Sequence, residues 1–191
     1  MGHLIVKNMA GQAQRTLLGA TQVKPSAVIP SIVFWKSSKP GTPNAYGLIQ
    51  GPANAIGPGH RPLSAMSPTI VLKDGKLFLV LGSPGGPRII STVANILMGV
   101  IDYGMDIQEA VNAPRFHHQW LPDEATVEQA FPTDTVHLLE KMGHKVQVGL
   151  QESGTWYPDW SDGECIEVDP LSGERLGATD ERNVSGKAIG Y

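Results

Sequence analysis

The distribution of apolar and polar residues predicts a β-hairpin in the middle of the chain, followed by a helix. Two apolar runs, Thr69–Lys73 and Lys76–Leu81, flank the dipeptide Asp74-Gly75. Asp-Gly between apolar runs favours a two-residue turn, because both central residues tolerate positive φ. The runs are almost continuously apolar, which predicts strands buried on both faces. Pro87 suits a first helical turn, and apolar residues recur at helical spacing over Arg88–Asp102.

The C-terminal half of the chain predicts shorter elements. Asp106 and Glu109 form a capping-box pattern, which indicates a short helix ending before Pro114. An amphipathic helix is expected over Pro132–Met142, closed by Gly143. Alternating or apolar segments predict four strands, of which the last two form a hairpin around residues 169–173: Ala125–Gln129, His144–Leu150, Cys165–Val168 and Leu176–Thr179.

The order of these elements predicts the fold class. Residues 1–40 are weakly patterned, because Gly, Gln, Lys and Pro interrupt every apolar run. Pro40–Pro62 is too rich in Gly and Pro for a helix or strand, so an ordered loop is expected there. Strands occur in pairs and helices in a block of their own, which favours stacked layers around an antiparallel sheet. We therefore expect an α+β fold.

Composition narrows the classes of function. A chain of 191 residues is long enough for one domain with a full core. Its net charge of −3 provides no basic patch for nucleic acid. The longest apolar stretches, such as Ile89–Ile101, are too short to span a bilayer, and the first residues lack the pattern of a signal peptide. The single cysteine, Cys165, excludes an internal disulfide framework and is expected to be a small buried residue.

Several motifs occur together in one order along the chain: PNAYGLI, ANAIGP, RPLSAMSPTIV, GSPGGPRII and IDYGMDIQEAVNAPRFHHQWLPDE, followed by the closing Gly190-Tyr191. Over Gly41–Tyr191 this sequence resembles the small subunit of the gamma-glutamyltranspeptidases, also called glutathione hydrolases. The resemblance implies that residues 41–191 are a small-subunit domain and that residues 1–40 are a degenerate or truncated start. It also implies the four-layer αββα sandwich of N-terminal-nucleophile hydrolases, of which this chain would supply about half.

The resemblance further implies a chemistry. Members of this family attack a gamma-glutamyl amide with the hydroxyl of an N-terminal threonine, whose α-amine serves as the base. The expected substrates are glutathione and other gamma-glutamyl compounds, with no metal or organic cofactor. The expected partner is a large subunit of the same precursor family, which carries the export signal of the usually exported enzymes. Localisation cannot be inferred from this chain itself.

Two groups of residues are candidates for the site. A Gly-Gly pair between a strand and a helix leaves backbone N–H groups bare, and such groups can hold developing negative charge. The resemblance assigns Gly85 and Gly86 to an oxyanion hole; a simple tight turn is the alternative. It assigns Ser64, with the backbone N–H of Ala65, to the substrate carboxylate; a hydroxyl that caps the loop is the alternative.

The start of the chain departs from the family pattern. Over His3–Gly19 the resemblance places Met1-Gly2 where two threonines belong, so the nucleophile is absent, and it aligns Thr16 with a threonine that contacts the nucleophile. The acidic segment that binds the substrate ammonium group is missing between Phe34 and Lys39. We therefore expect this chain alone to be inactive. The alternative hypothesis is a non-catalytic relative, or a gene-model fragment, that only folds or pairs with a large subunit.

Three other clusters are given structural roles. His117 and His118 are neighbours on an extended segment and point to opposite faces, so hydrogen bonding is favoured over metal binding. The aromatic cluster Trp156–Trp160 lacks the basic residues of a nucleic-acid platform, which favours an apolar lid or a subunit contact. Asp123 and Glu124 are expected to be solvated loop charges.

Overall fold

The structure is a computed structural model of the 191-residue chain. It describes residues 4–8, 13–14, 41–44, 46–49, 51, 58, 66–149, 160–183 and 186–189. Among these residues, no helix is both long enough and apolar enough to cross a membrane.

A six-stranded sheet runs through the centre of the described residues, and every neighbouring pair in it is antiparallel. This confirms the antiparallel sheet predicted from the sequence. Its strands are β1 (Leu4–Asn8), β2 (Ala13–Gln14), β3 (Thr69–Lys73), β4 (Lys76–Gly82), β8 (Glu164–Val168) and β9 (Arg175–Ala178). Their order in the sheet is β2-β1-β3-β4-β8-β9.

Strands β1 and β2 were not predicted. Their own pattern is weak, since only Leu4, Ile5 and Val6 of β1 are apolar. All five residues of β1 pair with β3, from Leu4 opposite Lys73 to Asn8 opposite Thr69. The sheet edge formed by β3 therefore supplies the strand geometry that the local sequence does not encode.

The hairpin between β3 and β4 has the predicted turn. Asp74 and Gly75 adopt φ values of 52° and 80°, as a two-residue turn with two positive φ angles requires. The prediction of burial on both faces is confirmed only in part, however. Val71 and its partner Leu79 are fully buried, whereas the neighbouring partners Ile70 and Val80 are only half-buried.

Two helices form the layer on the buried face of the sheet. They are α1 (Arg88–Ile101) and α2 (Ile107–Asn112). Among the described residues, α1 contacts β4, and α2 contacts β8 and β9. The predicted capping box is confirmed, because Asp106 Oδ1 accepts from the Glu109 N–H at 2.8 Å and Glu109 Oε2 accepts from the Asp106 N–H at 3.2 Å. The helices approach closely at Gly99, where a Cβ atom would lie 2.9 Å from the Cβ of Ala110.

A smaller sheet of three strands completes the described fold. It contains β5 (Phe116–His117), β6 (Ala125–Val127) and β7 (Val146–Val148), while α3 (Thr133–Lys141) lies between β6 and β7 in the chain. Strand β5 was not predicted, and both β6 and β7 are shorter than predicted. The pair β6–β7 is parallel, because α3 provides the crossover connection that parallel neighbours need.

The only cysteine of the chain, Cys165, lies in β8 and is buried, as predicted. Burial raises the pKa of its thiol to about 12. The thiolate is the nucleophilic form of cysteine. The folded chain should therefore offer almost no reactive thiol near neutral pH.

This burial predicts the reactivity of the thiol. At pH 8, an aromatic disulfide reagent should modify Cys165 at least about a hundredfold more slowly in the folded chain than in denaturant, because both access and thiolate formation are suppressed. The released chromophore measures the rate. Stoichiometric labelling within seconds without denaturant would contradict the buried position of this residue.

Candidate active site

The loop that joins β4 to α1 carries the Gly-Gly pair. Strand β4 ends at Gly82 and helix α1 begins at Arg88. Gly85 has a φ of 124° and Gly86 a φ of 61°, so both residues adopt backbone conformations that L side chains rarely accept. The glycines are thus required by the path of the loop from the strand into the helix.

The carbonyl groups of this loop are anchored to the protein. The Arg88 N–H donates to the Gly85 carbonyl at 3.2 Å, and the Ile89 N–H donates to the Gly86 carbonyl at 3.2 Å. The Pro84 carbonyl accepts from the Ser161 hydroxyl, and the Ser83 hydroxyl lies 2.7 Å from the same oxygen.

This anchoring fixes where the two N–H groups point. In a planar trans peptide the N–H points opposite to the C=O. The Gly85 N–H therefore points away from Ser161, and the Gly86 N–H points away from the start of α1. None of the described residues accepts a hydrogen bond from either N–H. Two such donors can hold an oxyanion.

Both glycines are closely packed. A Cβ atom on Gly85 would overlap the hydroxyl of Ser161, and one on Gly86 would lie 2.7 Å from Cζ of Tyr46. Tyr46 is held by a turn in which Asn44 Oδ1 accepts from the N–H groups of Tyr46, at 2.9 Å, and Leu48, at 3.0 Å. This turn lies within the predicted ordered loop, and its ends are joined by a bridge between residues 43 and 49.

His117 belongs to a buried hydrogen-bond network. Gln119 donates through Nε2 to the carbonyls of Tyr46 and Leu121, so its Oε1 faces His117 Nε2, at 3.0 Å, as an acceptor. His117 Nε2 therefore carries the proton, and Nδ1 accepts from the Ser91 hydroxyl at 2.6 Å. Burial lowers the pKa of His117, which keeps the ring neutral. The predicted hydrogen-bonding role of this residue is confirmed.

The side chain of His118 is 37% exposed, and its Nε2 lies 3.3 Å from a carboxylate oxygen of Asp123. Within the described part of the chain, no group of three His, Cys, Asp or Glu side chains could hold a metal ion.

A buried ion pair contacts the backbone on either side of Ser161. Arg115 Nη2 is 2.6 Å from Asp180 Oδ2, and the two residues are 2% and 0% exposed. The pair holds the backbone on both sides of Ser161, because Arg115 donates to the Trp160 carbonyl at 3.0 Å and the Gly163 N–H donates to Asp180 at 2.7 Å. Neither this pair nor Ser161 could be predicted from the sequence, because residues so distant in the chain share no local pattern.

The ion pair extends through a second arginine. Arg182 contacts Asp180 Oδ1 at 2.9 Å and Glu128 Oε1 at 2.5 Å, and Glu128 Oε2 accepts from the Arg115 N–H at 2.7 Å. Burial alone would raise the pKa of Asp180, but Arg115, the Gly163 N–H and Arg182 together hold it below its usual value. Asp180 is therefore a carboxylate in the folded chain.

The other predicted site residues lie outside the described residues. These are Thr16, Ser64 and Ala65, together with Met1-Gly2, the junction from Phe34 to Lys39, and residues 156–159 of the aromatic cluster. Their assignments stay predictions.

Comparisons with known proteins agree on one family. A family model described as gamma-glutamyltranspeptidase matches residues 32–190. The glutathione hydrolase proenzyme of Escherichia coli strain K12 is 54% identical over 155 residues, which are 81% of this chain and 25% of that protein. The glutathione hydrolase proenzyme of Bacillus subtilis is 37% identical over 145 residues, 76% of this chain and 23% of that protein. The chain thus spans about a quarter of the length of the curated relatives it matches.

Solved structures give the same result. A mutant of Helicobacter pylori gamma-glutamyltranspeptidase is similar with a TM-score of 0.68 and 42% identity, covering 94% of this chain and 98% of that chain. Gamma-glutamyltranspeptidase from Pseudomonas nitroreducens in complex with L-DON has a TM-score of 0.67 and 35% identity, covering 85% of this chain and 78% of that chain.

The packing at Gly86 predicts the effect of a methyl group. Gly86→Ala should lower the free energy of unfolding more than Gly104→Ala, a matched control with a similar φ of 66° and open space around it. The control should cost ~1–2 kcal/mol for the left-handed backbone. Gly86→Ala should cost a further ~1–3 kcal/mol because Tyr46 must move. Urea unfolding measures the loss for each variant. The additional loss of Gly86→Ala over Gly104→Ala should disappear when Tyr46 is replaced by alanine. Equal losses for the two alanine variants would contradict the contact.

The lowered pKa of Asp180 predicts a pH dependence. At a pH between the folded and the unfolded pKa of Asp180, the unfolded state binds more protons than the folded state. The free energy of unfolding therefore rises with pH in this range. The contribution of Asp180 is fully present above its ordinary pKa of 3.8 and is lost as the pH falls through the lower folded value. The stability difference between the unaltered chain and Asp180→Asn should therefore be constant near neutral pH and shrink in acid. Asp123→Asn, on an exposed carboxylate, should change stability by less than about 0.5 kcal/mol. A difference for Asp180→Asn that does not shrink as the pH falls below 3.8 would contradict the assignment.

Proposed function

The chain belongs to the gamma-glutamyltranspeptidase family, and on that premise we propose that it supplies the oxyanion-binding part of a gamma-glutamyl transferase and hydrolase. The family is one of enzymes. The α+β class and the N-terminal-nucleophile hydrolase fold expected from the sequence are confirmed by the solved relatives. In the described residues, one helical layer lies on one sheet, as expected for half of a four-layer sandwich.

The arrangement of the Pro84–Gly86 peptides carries the proposal. The Pro84 and Gly85 carbonyls are bonded to the protein, which leaves the Gly85 and Gly86 N–H groups directed away from their anchors. Attack on a gamma-glutamyl carbonyl converts its oxygen into an oxyanion, and a fixed N–H donor is typically worth ~3 kcal/mol in stabilising that charge. Because the donors belong to the backbone and are already oriented, no reorganisation is needed during the reaction.

The remaining parts of the reaction are assigned by resemblance. A threonine hydroxyl would add to the gamma-carbonyl carbon while its α-amine takes the hydroxyl proton and then delivers it to the leaving amine. The resulting ester would be released by water or by the amine of an acceptor amino acid. Ser64 and the Ala65 N–H would bind the substrate carboxylate, and Thr16 would contact the nucleophile. In this chain Met1-Gly2 stands in the place of the nucleophile.

A large-subunit segment is the proposed partner. The curated relatives, which are named as proenzymes, are about four times as long as the segment that this chain matches. The family's carboxylate clamp also needs an arginine from the large subunit. We place residues 41–191 in the small-subunit domain and residues 1–40 in its altered start. The substrate class is glutathione and other gamma-glutamyl compounds.

A non-catalytic relative is the second candidate. Two features of the sequence favour it: Met1-Gly2 replaces the threonines, and no acidic segment lies between Phe34 and Lys39. On this hypothesis the Gly-Gly loop retains its geometry because the fold needs it, and the chain pairs with a large subunit without turnover.

The two hypotheses predict different outcomes on repair. The chain as it stands should neither cleave itself nor hydrolyse a chromogenic gamma-glutamyl anilide. With a processed Thr-Thr start in place of Met1-Gly2 and a related large subunit as partner, it should show faint turnover. Loss of a charge-assisted contact in a closed site costs ~2–5 kcal/mol, so the rate should rise by roughly a hundredfold or more when an acidic segment is inserted between Phe34 and Lys39.

The repaired protein also provides the control for the oxyanion hole. Gly86→Ala should lower its kcat strongly, while Gly104→Ala, which carries a similar backbone strain in an open loop, should leave kcat within about twofold. No turnover after both repairs would favour the non-catalytic relative. Turnover by the unrepaired chain that survives substitution of Thr16 would indicate a different nucleophile.

A further inference from the structure

We propose that Ser161 is a positioning residue that fixes the orientation of the Pro84–Gly85 peptide, and hence of the Gly85 N–H. The catalytic consequence of this positioning rests on the proposed function. The positioning itself, the orientation of one peptide group, can be tested without any turnover.

The first observation is a set of hydrogen bonds that converges on the Pro84 carbonyl. The Ser161 hydroxyl donates to the Pro84 oxygen. The Ser83 hydroxyl has one proton to donate and lies 2.7 Å from the same oxygen and 3.1 Å from Ser161 Oγ, while its oxygen lies 3.3 Å from the Asp162 N–H. Ser161 is fully buried, so its hydroxyl is shielded from bulk water.

The second observation is that this peptide needs a restraint. Rotation of a peptide plane changes ψ of the preceding residue and φ of the following one. Gly85 follows, and glycine accepts positive and negative φ at similar cost. Local sterics therefore do little to prevent the plane from turning over. A turned plane would direct the Pro84 carbonyl to the side where the Gly85 N–H now points, and a carbonyl there would repel an oxyanion.

The third observation is that Ser161 is itself held in an unusual conformation. Its φ of 70° lies in the left-handed region, which is costly for serine. The buried ion pair secures the backbone on both sides of it, through the Trp160 carbonyl and the Gly163 N–H. Ser161 thus transmits the rigidity of the Arg115–Asp180 pair to the loop.

Ser83 cannot provide the same restraint. Its hydroxyl lies 2.7 Å from the Pro84 carbonyl, but Ser83 is the residue next to Pro84 and moves with the loop. Ser161 is 77 positions away in the chain and ties the loop to a separate strand connection. Removal of the Ser161 hydroxyl should therefore affect the Gly85 peptide more than removal of the Ser83 hydroxyl.

The chain allows each peptide to be observed separately by NMR. The sequence has one Gly-Gly pair, so glycine labelled with ¹³C at the carbonyl and with ¹⁵N reports Gly86 alone as a coupled pair. Proline labelled with carbonyl ¹³C, together with ¹⁵N-glycine, reports Gly41, Gly59 and Gly85. Pro40→Ala and Pro58→Ala remove the first two. The same labels serve in solution and in magic-angle-spinning spectra, so self-association does not remove the readout.

The expected result is a selective effect on Gly85. In Ser161→Ala, ¹⁵N relaxation dispersion should detect exchange at Gly85, with the flipped population raised about fivefold or more, the equivalent of one net hydrogen bond. Gly86 should not change, because the Gly85 carbonyl is held by the Arg88 N–H. Ser161→Gly also lacks the hydroxyl but relieves the left-handed strain. It should show the same exchange at Gly85 and should unfold at a higher temperature than Ser161→Ala. Ser83→Ala should give a smaller effect.

Other outcomes would overturn the proposal. One is a rigid Gly85 in a folded Ser161→Ala or Ser161→Gly chain. Equal exchange at Gly85 and Gly86 would indicate general loosening of the loop, and an equal effect of Ser83→Ala would assign the restraint to the local contact. Global unfolding of both Ser161 variants would show a general structural role and would also count against it. In a repaired, active enzyme, the same hydroxyl loss should lower kcat and leave KM unchanged; failure of that arm alone would challenge the proposed function and leave the positioning role intact.

Discussion

Arg115 and Asp180 form an ion pair that solvent does not reach, and the arrangement of the site depends on it. Transfer of two charges out of water is expensive, and further hydrogen bonds to both groups offset part of that cost. Here those bonds go to backbone groups from separate parts of the chain: the carbonyls of Val111 and Trp160 and the N–H of Gly163. The requirement to satisfy a buried charge thus fixes the end of α2 and the segment before β8 relative to each other.

The proposed oxyanion hole follows from this constraint. The segment before β8 carries Ser161, which holds the Pro84 carbonyl, while the first N–H groups of α1 hold the next two carbonyls. Glycine is needed at positions 85 and 86 because of both the backbone angles and the close approach of Ser161 and Tyr46. The loop contributes no reactive side chain of its own. Its proposed contribution is the fixed direction of two backbone dipoles, which is effective because they need not reorganise.

Local features of the fold could be predicted from the sequence, and non-local ones could not. The Asp74-Gly75 turn, the capping box at Asp106 and the helical spacing of α1 each follow from residues a few positions apart. The Gly-Gly pair could also be identified, because its glycines are adjacent. Strand β1 is formed by pairing with β3, and Ser161 meets Pro84 across 77 positions. Such contacts leave no periodic pattern in the sequence. The resemblance to a family suggested this loop as the oxyanion hole, which stays a proposal, and it did not suggest what holds the loop in place.

A double-mutant cycle tests most directly whether the ion pair acts on the loop through Ser161. Arg115→Lys keeps a charge near Asp180 but loses the planar group that also reaches the Trp160 carbonyl. The free energy of unfolding is measured for Arg115→Lys, for Ser161→Ala and for the double variant. If both residues belong to one mechanical connection, the double variant should lose less than the sum of the single losses, by ~0.5–3 kcal/mol. Losses that add within about 0.5 kcal/mol would show two independent sites and would contradict this account.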